Sequence, residues 1–189
     1  RFEAAKPTGQ TVMVFAHTDQ LGMAGTKIEQ SGLIRFGRHG GVPARVLPGS
    51  VVTIRAHNGS LVTGVMGTPP HHLTPEAMKY AVPTIDQAYI DVGATTASEV
   101  ADLGITIGDH VAYEPRFEKL ANNRIAGTSV DDRGGCAVLV GLAERLAAHP
   151  VAVNVLLVGT VQEEFNLRGA ALAAEKIKPV AAISLDLVA

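Results

Sequence analysis

The sequence predicts an α/β domain that is interrupted by a β-rich insertion, and three observations support this prediction. Apolar, β-prone runs at 11–16 and 151–160 have the unbroken character of buried strands, and a third apolar run at 180–185 predicts another strand. Two segments with apolar residues at helical spacing alternate with the later strands. The stretch 23–122 instead consists of short alternating segments separated by Gly, Pro and Asn-Gly turn signals, which is typical of a small β domain.

Each early element has its own local reason. The strand at 11–16 ends where the sequence turns polar, at HTDQLG. Within the insertion, the segment ATTASEVADLG (94–104) predicts a short helix. Thr96 or Ser98 is the candidate N-cap of this helix, and Gly104 stands at the position where a helix stops.

After the insertion, the sequence again predicts helices that alternate with strands. The segments 136–149 and 167–177 predict helices, and the strands at 151–160 and 180–185 alternate with them. Because the first strand has the same buried character as the later ones, we assign it to the same domain. The predicted domains are therefore residues 1–22 with 123–189, and the insertion 23–122.

Composition excludes several classes of protein. With 189 residues, of which 47% are hydrophobic and 18% charged, the chain can bury a substantial core. The formal net charge is -2, and Lys and Arg are scattered, so we expect neither nucleic acid nor a membrane as a partner. Cys136 is the only cysteine, so a disulfide framework is excluded and a cytoplasmic location is expected. The longest apolar stretch is far shorter than the ~20 residues that span a bilayer.

Polar side chains follow the predicted strands at the points where they end. They are His17-Thr18-Asp19 after the first strand, Glu163-Glu164 after the second, Asp186 after the third, and Asp131-Asp132 in the turn before a helix. Because the carboxyl ends of parallel strands form one crevice, we expect these side chains to converge. So many carboxylates in one place must be protonated or neutralised by cations. One or two divalent ions bound with His17 would do so, and a mixed nitrogen and oxygen ligand set suits zinc, cobalt or manganese.

Individual roles follow from local geometry. His17 and Asp19 lie on the same side of an extended backbone, so Asp19 can accept the second ring proton of His17. Glu163 and Glu164 point in different directions, so one can bind metal while the other acts as general base. Each motif alone also fits a structural role as a loop hydrogen bond, a helix N-cap or acidic residues at a helix N-terminus. Capping does not explain why all of them fall at one sheet edge.

At these residues the sequence resembles the TET-type aminopeptidases, a family of two-metal metallopeptidases that includes glutamyl and deblocking aminopeptidases and proteins once labelled endoglucanase M. The resemblance covers nearly the whole chain and also includes the insertion. It rests on AHTDQLG (16–22), DDRGG (131–135), VQEE (161–164), LRGA, AISLD, and the insertion segments GVMGTPPHHL and YIDVGATTASEVADLG. The resemblance implies a metallopeptidase domain with a mixed sheet and helices on both faces, interrupted by a β-barrel-like insertion.

The resemblance also implies roles for the site residues. His17 would bind one metal, Asp131 would bridge two, Glu164 and Asp186 would complete one site each, Glu163 would be the general base, and Asp19 would orient His17. A strained or cis peptide bond is expected after Asp131. The cofactors would be two divalent ions per subunit, zinc or else cobalt or manganese.

The implied activity is removal of N-terminal residues from peptides by a homo-oligomer, a tetrahedral dodecamer in the family. A related two-metal deacylase or carboxypeptidase, or a non-catalytic assembly protein with the same fold, is the alternative. Two positions depart from the family pattern. Gln20 replaces a Glu, and no His follows Asp186, where the family takes its fifth ligand. We therefore expect the chain to be incomplete.

Overall fold

The computed structural model describes residues 9–187, which form two compact units. One unit combines the chain up to Gln20 with the chain from Phe117 onwards, and the other is Leu21–Arg116. The domain boundaries expected from the sequence, at 22/23 and 122/123, stay a prediction. Among the described residues, none of the helices has both the length and the apolar character needed to cross a bilayer.

Eleven strands and three α-helices are found in the described residues. In chain order they are β1 (Thr11–His17), β2 (Gly22–Ile28), β3 (Ile34–His39), β4 (Val51–Arg55), β5 (Leu61–Gly67), β6 (Tyr89–Asp91), α1 (Ala97–Asp102), β7 (His110–Tyr113), β8 (Phe117–Lys119), β9 (Ile125–Gly127), α2 (Val130–Ala148), β10 (Asn154–Thr160), α3 (Arg168–Ile177) and β11 (Ala181–Ser184). Short 3₁₀ turns lie between several of them, including one at Glu163–Phe165.

The unit Leu21–Arg116 is a closed barrel of antiparallel strands in the order β2-β3-β6-β5-β4-β7. Alternate residues of these strands point inward, so that one apolar core fills the barrel. That core includes Met23, Ile34, Phe36, Val52, Ile54, Met66, Ile90 and Val111. The helix α1 begins as predicted, since the Thr96 side chain accepts a hydrogen bond from the Glu99 N–H. Gly104 follows it with φ +81°, a conformation that favours glycine.

The other unit contains a sheet in the order β10-β1-β11, and both strand pairs are parallel. Its central strand β1 buries side chains on both faces, as predicted, because Met13 is 1% and Val14 is 6% exposed. The helix α2 packs Leu139 and Leu146 against Val14, Ala16 and Val155. A separate antiparallel pair, β8-β9, precedes α2. The α/β fold with a barrel insertion is therefore confirmed.

The helix α2 begins earlier than the sequence pattern predicts. Apolar periodicity places its start at Cys136, whereas the observed helix begins at Val130 and includes non-helical angles at Asp131 and Asp132. The reason is that its first turn carries polar residues, which the apolar pattern does not register. The peptide bond between Asp131 and Asp132 is cis, in agreement with the expectation from the resemblance.

Candidate metal centre

The predicted site residues lie where the strands of the parallel sheet end. His17 is the last residue of β1 and lies opposite Thr160, the last residue of β10. The turn Glu163–Phe165 begins three residues after the last residue of β10, and Asp186 comes two residues after β11 ends. Asp131 enters from the first turn of α2. The carboxyl-terminal edge of one sheet thus collects residues that are far apart in sequence.

Three of the predicted ligands meet closely. One ligand atom from each of His17, Asp131 and Asp186 lies within 4.8 Å of the other two. The His17 Nε2 and Asp131 Oδ1 atoms are 2.9 Å apart. A carboxylate oxygen of Glu163 lies 3.9 Å from the same ring nitrogen. The Glu164 carboxylate does not belong to the three-residue group among the described residues.

The second ring nitrogen of His17 is held by the main chain. Its Nδ1 lies 3.1 Å from the backbone carbonyl oxygen of Asp19, whereas the nearest carboxylate oxygen of Asp19 is 3.5 Å away. The nearer contact of this ring nitrogen is with the Asp19 main chain, and the role of the Asp19 side chain in orienting His17 stays a prediction. A carbonyl can only accept, so this contact places the proton on Nδ1 and leaves Nε2 facing the carboxylates.

The Asp19 carboxylate instead contacts the turn that carries the paired glutamates. Its two oxygens accept the backbone N–H groups of Glu163 at 3.3 Å and Glu164 at 3.4 Å. A carboxylate at this position satisfies donors that a 3₁₀ turn leaves without an internal partner. Asp19 therefore connects the end of β1 to both glutamates.

Burial and mutual charge perturb the titrating groups. Burial raises the pKa of the Glu163 carboxyl; the charge of His17 opposes this effect, and the charges of Asp186 and Asp131 add to it. Burial also raises the pKa of Glu164, and the neighbouring Glu163 charge adds to the shift. Burial of the His17 ring lowers its pKa, but the hydrogen bond to Asp131 and the surrounding carboxylates raise it above its ordinary value. The site thus favours positive charge.

The donor set fits a divalent cation. The Nε2 atom of His17 either carries a proton that it donates to Asp131 or, in the neutral ring, directs a lone pair at the same place. Carboxylates from Asp131 and Asp186 converge there, and Asp131 is half exposed while His17 is buried. One imidazole with several carboxylates is a ligand set for zinc, cobalt or manganese.

Comparison with known proteins agrees with this geometry. The family model of the M42 glutamyl aminopeptidases matches residues 2–189. The chain belongs to the M42 family. The resemblance inferred from the AHTDQLG, DDRGG and VQEE motifs is therefore confirmed.

Individual M42 relatives cover almost all of this chain. The aminopeptidase APDkam598 from the archaeon Desulfurococcus kamchatkensis is 35% identical with a TM-score of 0.88, over 98% of this chain and 49% of its own. The lysyl aminopeptidase of Pyrococcus furiosus is 32% identical over 96% of this chain and 52% of its own length. The TET1 peptidase of Pyrococcus horikoshii, described as assembling into a tetrahedron or a large octahedral shell, is 29% identical with a TM-score of 0.83, over 98% of this chain and 54% of its own. The chain thus spans about half the length of the M42 proteins it matches.

Two residues of this M42 site were missed by sequence reasoning. Asp132 is fully buried, and its carboxylate accepts the backbone N–H groups of His17 at 3.1 Å and Gly135 at 2.9 Å. Cys136 is partly buried and donates its S–H to the His17 carbonyl at 3.2 Å. Only the doubled Asp in DDRGG could have indicated the first role, and no pattern indicated the second.

Proposed function

We propose that the full-length protein is a two-metal aminopeptidase that removes N-terminal residues from peptides. The observation that carries this proposal is the convergence of His17, Asp131 and Asp186 within 4.8 Å, beside the Glu163 carboxylate. Membership of the M42 family supports peptide hydrolysis over a deacylase or a non-catalytic assembly role. The chain carries the four carboxylates to which the family resemblance assigns metal binding and proton transfer, those of Asp131, Glu163, Glu164 and Asp186.

The metal ligands follow from the contacts. His17, Asp131 and Asp186 would hold one ion. Among Asp19, Asp131 and Glu163, whose carboxylates contact the His17 ring, Asp131 has the most exposed side chain, and it would be shared with a second ion. Glu164 lies outside the three-residue group and would bind the second ion. When bound, two divalent ions polarise the scissile carbonyl and lower the pKa of the attacking water. Zinc is our first choice, with cobalt or manganese as the alternatives.

Glu163 is the proposed general base. Its carboxylate faces the same ring nitrogen of His17 as the ligands do, but at 3.9 Å, which leaves it free to handle a proton. Burial raises the pKa of this carboxyl, which brings it closer to the working pH of a general base. We assign to Glu163 removal of a proton from the attacking water and its return to the leaving amine.

Asp19 is proposed to support both sides of the site. Its backbone carbonyl fixes the His17 tautomer at 3.1 Å, and its carboxylate accepts the N–H groups of Glu163 and Glu164. The general base and its neighbouring ligand would therefore depend on Asp19 for their position, although Asp19 does not bind metal.

Assembly and location are part of the same proposal. We propose a homo-oligomer, a dodecamer, with the barrel unit at contacts between copies. Exposed apolar side chains on that unit support this, since Leu61 is 72%, Leu73 is 72% and Tyr80 is 88% exposed. The single cysteine supports a cytoplasmic location, and the scattered Lys and Arg support peptides rather than nucleic acid or membrane as partners.

The test is metal-dependent hydrolysis by the full-length protein. We expect metal-free protein to be inactive on aminoacyl p-nitroanilides and to regain activity with zinc, cobalt or manganese added separately. The variant Glu163→Gln should lose activity by roughly 10²–10⁴-fold at unchanged metal content, because proton transfer by a positioned side chain contributes about that factor. The matched control is Glu144→Gln, since Glu144 is exposed on α2. Normal turnover in the Glu163 variant would exclude it as the base.

A further inference from the structure

The first turn of α2 contains a carboxylate that the proposed reaction does not use. Asp132 follows Asp131 directly, but its side chain is fully buried and does not face the ligand group. A buried carboxylate is unfavourable unless it is hydrogen-bonded, so its presence at this position needs an explanation. Two backbone N–H groups supply its hydrogen bonds, one from His17 and one from Gly135.

The bond to His17 falls where the sheet stops. On the β11 side of β1, the Leu185 N–H donates to the Phe15 carbonyl at 2.8 Å, and β11 itself ends at Ser184. On the other side, Thr18 continues the contact with β10 through its N–H to the Thr160 carbonyl at 2.8 Å. The His17 N–H therefore points away from β10, beyond the β11 ladder. The Asp132 carboxylate accepts this N–H, as a backbone carbonyl would if the β11 ladder continued.

The absence of a side chain at Gly135 leaves space for this carboxylate. A Cβ atom at Gly135 would lie 2.4 Å and 2.5 Å from the two carboxylate oxygens of Asp132. Contacts this short do not occur, so only glycine lets the α2 backbone approach so closely. The second glycine of DDRGG is thereby explained by the position of Asp132.

Adjacent aspartates thus attach to the same histidine in two ways. Asp131 reaches the His17 ring at 2.9 Å, and Asp132 reaches the His17 main chain at 3.1 Å. The S–H of Cys136, one turn further along α2, also contacts the His17 carbonyl. The main chain sets the point from which the ring of a metal ligand reaches the ions, so a group that holds the main chain helps to fix the position of that ring.

We propose that Asp132 is a positioning residue that fixes the main chain of His17 relative to Asp131 and so preorganises the metal centre. This inference rests on the proposed metal site, but it concerns a residue that does not touch the ions. Asp132 would act through His17, and its loss would weaken metal binding without removing a ligand.

The experiment compares metal affinity in full-length wild type, Asp132→Asn and Asp109→Asn, by titration of metal-free protein with zinc or cobalt. An amide has one acceptor oxygen, so Asn at position 132 leaves one of the two N–H groups facing an NH₂ group. Asp109 is the matched control, because it is also buried and also accepts two backbone N–H groups, from His57 at 3.1 Å and Thr106 at 2.7 Å, but lies in the barrel unit. Melting temperatures of the metal-free proteins are measured in parallel.

We expect Asp132→Asn to weaken binding of one metal equivalent by ~10–100-fold, which is the usual effect of removing a group that orients a ligand. Asp109→Asn should leave metal affinity within about twofold. Equal affinities for wild type and Asp132→Asn would overturn the inference, while a wild type that binds no metal would overturn the proposed function itself.

A second measurement tests the inference even if Asp132→Asn does not fold. In metal-free wild type, the amide proton of His17 should exchange slowly, because the Asp132 carboxylate accepts it in a buried position. Gly135→Ala, which displaces the carboxylate but keeps it, should speed that exchange and weaken metal binding in the same direction. Fast exchange of the His17 amide in wild type would contradict the inference.

Discussion

Substitution of Asp19 by Ala separates two possible roles of this residue. If the carboxylate mainly orients His17, its loss should weaken metal binding. If it mainly holds the turn with Glu163 and Glu164, its loss should slow the reaction at nearly constant metal affinity. The distances favour the second role, because the His17 Nδ1 atom is closer to the Asp19 carbonyl, at 3.1 Å, than to the carboxylate, at 3.5 Å. The carbonyl stays in Asp19→Ala.

The magnitude follows from the two lost hydrogen bonds. Bonds to charged acceptors contribute about 1.5–3 kcal/mol each at good geometry. The bonds from Glu163 and Glu164 are long, at 3.3 Å and 3.4 Å, and the Asp19 side chain is 22% exposed, so each is weaker. We take about 1–2 kcal/mol for the pair, which corresponds to a ~5–30-fold lower kcat/KM.

Steady-state kinetics and metal titration on the full-length protein check this prediction. Asp19→Ala should lower kcat/KM by ~5–30-fold and keep metal affinity within about threefold. Asp19→Asn, which retains one acceptor oxygen, should fall between Ala and wild type. A loss of metal affinity of 10-fold or more in Asp19→Ala, with kcat little changed, would refute the reasoning and restore the carboxylate as the group that orients His17.

Two further predictions concern stability. Leu139→Ala should lower the free energy of unfolding, measured by urea denaturation, by about 2–4 kcal/mol, because Leu139 is buried against Val14 of β1. A loss below about 1 kcal/mol would mean that neighbouring side chains fill the space that the leucine leaves. The hydrogen bond from the Thr95 N–H lowers the pKa of Glu99 below its usual 4.5, so this stabilisation is present above that pH and is lost as the pH falls through the lowered value. Glu99→Gln should therefore be less stable than wild type at neutral pH, and the difference should shrink as the pH falls through the lowered pKa of Glu99; a difference that does not change with pH would contradict it.

The elements that the sequence predicts well are those with a local cause. The run at 11–16 predicted β1 because every residue in a strand buried on both faces must be apolar or small. The start of α1 was predictable because Thr96 caps through a contact only three residues away. The start of α2 was not, because its first turn serves the site rather than the apolar core.

The same distinction runs through the site. That His17, Asp131 and Asp186 meet could be predicted, because strand ends and the turn before a helix share one edge in an α/β sheet. The contacts of the Asp19 and Asp132 carboxylates could not, because their partners are main-chain N–H groups rather than side chains. The Asp132 carboxylate meets a backbone N–H that lies 115 residues away, and Asp19 meets one that lies 144 residues away. Every residue except proline has the same main-chain N–H group, so residue types do not indicate which N–H group will donate to a carboxylate.

His17 shows why these hidden contacts matter for function. Its ring contacts Asp131, its N–H contacts Asp132 and its carbonyl contacts Cys136, so three of its contacts come from the first two turns of α2. The helix α2 is itself held against β1 by Leu139 and Leu146. The strand therefore supplies the histidine, and the helix contributes to holding both its main chain and its ring. It follows that packing between α2 and β1 and the geometry of the metal centre are coupled, and that core changes along α2 should weaken metal binding as well as stability.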